Sequence, residues 1–194
     1  MPFLLAGLAL FFAIHFVPMV PDLRERFRQQ LAAGPYLLVF SLGSIASLAL
    51  IVYGYGQMHG RGIGNVQLWL PPIWTRHVVF LLMLPALILI VAAYVPSRVR
   101  TAVGHPMLAS IKLWALGHLL VRGDLASVLL FGAFLAYAIV DRISVKRRQA
   151  LGPLGAKTGG LSGDITVVAI AVGAYVLMLL WGHAWLIGVP LLSR

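Results

Sequence analysis

The chain contains no cysteine in 194 residues. That removes disulfides, thiolate nucleophiles, iron–sulfur clusters and thiolate-ligated haem, and leaves any metal to His, Met, carboxylate or Tyr. Acidic residues are almost as scarce, with 5 Asp and Glu against 15 Lys and Arg. Charged residues make up only 10% of the sequence, where soluble chains carry about a quarter. A soluble enzyme and a disordered tail are therefore disfavoured. The formal charge of +10 does not indicate nucleic acid, because most cations flank apolar runs, where anionic headgroups supply the counter-charge. Membrane lipid is the expected partner. There is no repeat of about 20–50 residues and no pair of inverted halves with matching broken helices, which disfavours a transporter.

What is abundant is apolar residues, at 61%. Six runs, near 2–20, 35–55, 74–95, 105–121, 125–141 and 165–189, are separated by Pro21, Gly34-Pro35, Pro71-Pro72, Pro96, Gly123 and the Gly/Pro/Ser stretch from Gly152 to Gly163. Runs of this length match about 30 Å of hydrocarbon. The reading is an all-α, polytopic membrane helix bundle of about six transmembrane helices, with no room for a second domain in residues 1–194. The first run lacks a positive n-region and is followed by its charges, so it reads as a retained helix.

Cations sort by connection. Arg24, Arg26, Arg28, Arg98, Arg100, Arg142, Lys146, Arg147, Arg148 and Lys157 lie on one side, and Arg61, Arg76, Arg122 and Arg194 on the other. The positive-inside rule puts the first set in the cytoplasm and both termini outside. Gly43/Ser47, Gly132/Ala136 and Ala169/Gly173 have the small-xxx-small spacing that lets helices approach closely. Trp69, Trp74, Trp181 and Trp185 fall near run ends, as interfacial anchors do. Association into a homo-oligomer is left open.

Histidines carry the chemical signal. His15, His77, His118 and His183 lie in or at the edges of apolar runs, His105 opens one, and His59 is expected in a loop. A polar ring in lipid needs a partner or an interior position, so such a set points to a cofactor or a proton path as readily as to interhelical hydrogen bonds. On the fourth run, at about 100° per residue, His105 and Lys112 share a face while His118 lies on another with Trp114. Lys112, near mid-span, must meet a carboxylate, carbonyls, water or an anionic ligand, and Asp124 and Asp141 are candidate carboxylates.

The stretch HPMLASIKLWALGHLLVRGDLASVLLFGAFLAYAIVDRIS from His105 to Ser144, with AIHFVPMVPDLRERF from Ala13 and LWLPPIW from Leu68, resembles the NnrU family. That family is similar to plant zeta-carotene isomerase, which uses a b-type haem to turn a cis double bond trans. Its bacterial members take their name from nitrite and nitric-oxide reduction gene clusters. The resemblance implies one NnrU-like transmembrane domain in the bacterial inner membrane, haem b, and a lipophilic substrate. It places the two haem-ligating histidines on His15 and His118. The isomerase's cysteine three residues before the second histidine is Ala115 here, which removes any thiolate exchange.

Helix depth pairs the histidines differently. Taking about 1.5 Å per residue, His15 and His118 lie roughly 14 Å apart along the membrane normal, and depth alone pairs His118 with His77 or His183, and His15 with His105. Phe11, Phe12, Trp114 and Phe131 are candidate walls for a porphyrin, and Arg76, Lys112 or Arg122 candidate cations for its propionates. Two alternatives remain. The His105-Pro106 pair resembles the Arg-His-Pro motif of membrane methyltransferases that use S-adenosylmethionine, with Gly104 in place of the arginine; the other is a non-enzymatic accessory subunit of a respiratory complex.

Overall fold

The computed structural model describes residues 1–61 and 64–192, of Arg61 the main chain only; Arg194, counted above among the outer cations, lies outside them. The described residues are helical almost throughout. In chain order the helices are α1 (Pro2–Phe16, continued by a 3-10 turn Val17–Met19), α2 (Pro21–Leu31), α3 (Ala33–Arg61), α4 (Thr75–Ala92) and α5 (Arg98–Val103). They are followed by α6 (Pro106–Val121), α7 (Leu125–Arg147), α8 (Leu161–Leu177), a π-helical stretch Met178–Gly182 and α9 (His183–Ile187). β-Type pairing among the described residues comes down to one isolated antiparallel bridge between Gln67 and Asp124.

All six apolar runs became helices. Pro2–Met19, Ala33–Gly60, Thr75–Ala92, Leu125–Arg147 and Leu161–Ile187 are long and apolar enough to cross a bilayer. The chain is thus a multi-pass membrane protein. The 16 residues of α6 extend only about 24 Å, short of the roughly 30 Å core. Three expectations change. The connection carrying Arg24, Arg26 and Arg28 is a helix, α2, and Arg98–Val103 forms another. Helix α3 runs past position 55 to Arg61, so His59 stands on a helix rather than in a loop; Gly56 and Gly60 are carried within the helix, and no proline follows until Pro71.

The chain forms two compact units, Met1–Pro71 with Arg122–Ser144, and Pro72–Val121 with Val145–Arg194. In the first, α1 lies along α3 at backbone contact distance. A Cβ on Gly7 would sit 2.8 Å from the Ile51 amide nitrogen, and one on Gly54 would run into the Leu4 main chain. Leu4, Leu8, Ile51, Met58 and Ala126 form the buried core beside them. Gly43 also meets Ile14, and Ser47 is fully buried, as the spacing of that pair implied. Gly132 and Gly173 face open space instead; which small residue makes a contact depends on helix rotation, which spacing does not specify.

In the second unit α4 packs against α6 and α8. The Ser110 hydroxyl donates to the Ala86 carbonyl at 2.7 Å and the Tyr175 hydroxyl to the Phe80 carbonyl at 3.1 Å. Both bonds satisfy a hydroxyl that lipid cannot. The short α5 is held at its N-terminus by side chains: Ser97 accepts from the Arg100 amide, and Asp164 Oδ1 accepts from the amides of Arg98 and Val99. The buried Arg100 guanidinium donates to the carbonyls of Gly155 and Lys157. Gly159 and Gly163 lie so close to the Pro96 main chain that neither has room for a Cβ. The Gly/Pro/Ser connection is thereby fastened to the start of α5.

Candidate functional site

Helix α1 presents His15 in an aromatic niche of the first unit. Phe11, one turn earlier, stacks on the imidazole with centroids 3.9 Å apart, and Phe40 of α3 and Tyr137 of α7 approach at 5.2 and 6.0 Å. Phe134 closes on both Phe11 and Phe12. His15 Nδ1 lies 2.8 Å from the Phe11 carbonyl. A carbonyl only accepts, so Nδ1 carries a proton, and in the neutral ring Nε2 then holds the lone pair. Near the same niche, Tyr36 is 6.3 Å from Phe40, and its buried hydroxyl has no hydrogen-bond partner among the described residues.

In the second unit α6 carries the other named residues. His118 repeats the arrangement of His15: Nδ1 donates to the Trp114 carbonyl at 2.8 Å, and the indole of Trp114 lies 5.2 Å from its ring. Ala115 is fully buried. His105 sits just before α6, with its carbonyl accepting from the Ala109 amide. Lys112 is half-buried at the middle of the helix and has no ion pair or hydrogen bond among the described residues. Asp124, offered for it by the sequence, is occupied by His59 and Ser127, and Asp141 accepts from Tyr137 at 3.5 Å.

Of the remaining histidines, His77 is exposed in the first turns of α4, beside an exposed Arg76. His183 begins α9, and its Nδ1 donates to the Val189 carbonyl at 2.7 Å. The π-helical stretch immediately before it is an irregularity of a kind frequent at functional sites. Of the proposed porphyrin walls, Phe11 and Phe12 line the His15 niche, Trp114 stays with His118, and Phe131 is buried near Tyr55.

The most connected polar group is Asp124, which the sequence offered only as a partner for Lys112. Asp124 caps α7: its Oδ1 accepts from the Ser127 amide at 3.0 Å and its Oδ2 from the Ser127 hydroxyl at 2.8 Å. The Ser127 oxygen in turn accepts from the Tyr55 hydroxyl at 2.9 Å. His59 Nε2 lies 3.2 Å from Asp124 Oδ1, and Asn65 Oδ1 and the Val66 carbonyl take the amides of Ala126 and Leu125. Every early amide of α7 is thus satisfied by a side chain or loop carbonyl, as a helix start near lipid requires. Burial pushes the Asp124 carboxyl up, but the Ser127 hydroxyl and amide, the His59 ring and Asn65 together hold it below its ordinary value. The Asp-x-x-Ser spacing after Gly123 is a cap signature legible in the sequence; the partners at positions 55, 59 and 65 are not.

No three His, Asp or Glu side chains gather to hold a bare metal ion among the described residues, whereas a porphyrin needs at most two protein ligands. Residues 3–191 match the family model described as NnrU protein. No curated protein and no solved structure matches the chain.

Proposed function

The chain belongs to the NnrU family, and from that premise we propose that it is a haem-b-binding membrane protein serving an isomerase-like or redox-linked reaction on a lipophilic ligand, or an accessory role in nitrite and nitric-oxide reduction. The observation that carries this reading is the shared state of His15 and His118. Each ring has Nδ1 committed to the carbonyl four residues earlier, the tautomer in which the neutral ring carries its lone pair on Nε2. A histidine that ligates iron through Nε2 has this kind of outer hydrogen bond to fix its tautomer and orientation. Their donor chemistry therefore fits haem, which when bound would supply a redox-active iron beside a conjugated ligand.

The other residues have supporting roles. The rings of Phe11, Phe40 and Tyr137 border His15, with Phe12 and Phe134 packed behind them, the hydroxyls of Tyr36 and Tyr137 are the polar atoms among these rings, and Lys112 is a cation suited to a propionate. For the methyltransferase reading, Gly104 is informative. Its φ of 73° and ψ of −48° are a conformation that side-chain-bearing residues rarely adopt, so the arginine of the Arg-His-Pro motif does not suit this backbone.

With α6 as the short crossing, six passes put both termini on the outer face of the bacterial inner membrane and the basic connections in the cytoplasm. The test of function is a visible spectrum of the detergent-purified protein. Bis-histidine haem gives a Soret band that sharpens and shifts on reduction. Protein that stays colourless after haem-replete expression and haem reconstitution removes the proposal.

A further inference from the structure

Helix α2 is the least buried of the helices and the most polar in sequence, yet it sits between two spans with one residue on either side. None of its eleven residues is buried. Taking about 100° per residue from Leu23, Phe27 falls at about 40° and Leu31 at about 80°. Arg24 and Arg28 follow on one flank at about 100° and 140°, and Arg26 lies on the other at about 300°. Glu25 and Gln29 occupy the opposite face at about 200° and 240°, where Gln29 donates to Glu25. Most of the apolar stripe is uncovered: Phe27 is 38% and Leu31 39% exposed, and Leu23 is half-buried.

We infer that α2 is an in-plane membrane helix that seats Leu23, Phe27 and Leu31 in the acyl boundary and binds anionic phospholipid headgroups through Arg24, Arg26 and Arg28. Two independent features select a lipid surface as the occupant. Cations border the apolar stripe on both sides and acids stand diametrically away, which matches a plane whose apolar layer is topped by anionic charge on both flanks. The chain also leaves the helix nowhere else to go. Val20, with φ −110° and ψ 101°, and Ala32, with φ 61° and ψ 164°, break its axis from the neighbouring helices in single residues. A segment about 16 Å long is thereby tethered at both ends to helices long and apolar enough to cross a bilayer. Arginine stems reach along the apolar surface while their guanidinium groups stay among the headgroups.

The cysteine-free sequence makes the test direct. Single substitutions Glu25→Cys, Phe27→Cys, Gln29→Cys and Leu31→Cys in the full chain give unique sites for a nitroxide, read in vesicles of phosphatidylcholine and phosphatidylglycerol by collision with oxygen and with a water-soluble nickel chelate. Oxygen is expected to dominate at 27 and 31, and nickel at 25 and 29. A fluorophore at Phe27→Cys, quenched by brominated phosphatidylglycerol or brominated phosphatidylcholine, then measures lipid preference. Phosphatidylglycerol should be favoured several-fold, and Arg24→Gln, Arg26→Gln and Arg28→Gln together should bring the ratio to one. Shielding of 27 and 31 from both collision reagents means that protein covers the stripe and overturns the inference. So does nickel access at all four positions, or equal quenching by the two lipids before the arginines are removed.

Discussion

His59 Nε2 stands 3.2 Å from Asp124 Oδ1, while the other nitrogen of the same ring faces the Tyr55 carbonyl at 3.0 Å. Both ring nitrogens meet acceptors, so the contact with Asp124 is attractive only when a proton lies between Nε2 and Oδ1. This occupancy makes His59 a poor catalytic base. It makes the pair a clamp between the end of α3 and the start of α7.

Asp124 gives the clamp a defined pH response. Its carboxyl is held below its ordinary value in the folded protein, so its contribution to stability is complete above the unfolded value near 3.9 and is lost as pH falls through the depressed folded value. The difference in Tm between wild type and Asp124→Asn should therefore be constant near neutrality and shrink below about pH 4. Asp124→Ala, which also loses the cap, should cost about 1–2 kcal/mol at neutral pH. Thermal unfolding in detergent across pH checks both; a gap that widens on acidification contradicts the assignment.

Glycine substitutions separate contact from composition. Gly54→Ala must push α1 away from α3 and should destabilise by about 1–3 kcal/mol. Gly132→Ala meets nothing and should be neutral or gain up to about 1 kcal/mol from helix propensity. Equal melting temperatures for the two variants would contradict the close approach at Leu4.

Reduced visible spectra of four variants test the haem ligands. His118→Ala and His15→Ala are expected to lose haem or leave it five-coordinate, whereas His77→Ala retains a wild-type spectrum because that side chain is exposed at the start of α4. Loss of the bis-histidine signature in His183→Ala with its retention in His15→Ala would instead support pairing by depth.

Lys112→Met removes a charge that has no ion partner among the described residues. Folding should be unharmed, with haem retention reduced because an anionic group loses its counter-charge. Haem content and thermal stability, measured on the same preparation, distinguish the two effects; full haem content removes Lys112 from the site.

Arg100→Met should release the connection fastened to α5. Each charged hydrogen bond of this kind is worth about 1.5–3 kcal/mol, and its loss frees the carbonyls of Gly155 and Lys157. Limited trypsin digestion should then cut after Lys157 many times faster than in wild type. An unchanged rate means that Asp164 and the close packing of Gly159 and Gly163 suffice.

The sequence by itself determined the membrane helices, because the free energy of placing twenty apolar residues in lipid is a local sum and needs no knowledge of neighbours. It also marked His15, His118 and Lys112, since a polar group in an apolar run is conspicuous wherever it points. Even α2 had a readable stripe at Leu23, Phe27 and Leu31, masked by its density of charge. Tertiary structure alone decided the rest. Whether Gly54 or Gly132 touches a neighbour depends on how a helix is rotated, and the network at Asp124 joins residues as far apart in sequence as Tyr55 and Ser127. Such contacts form only where packing brings distant backbones together, and hydropathy carries no term for that distance.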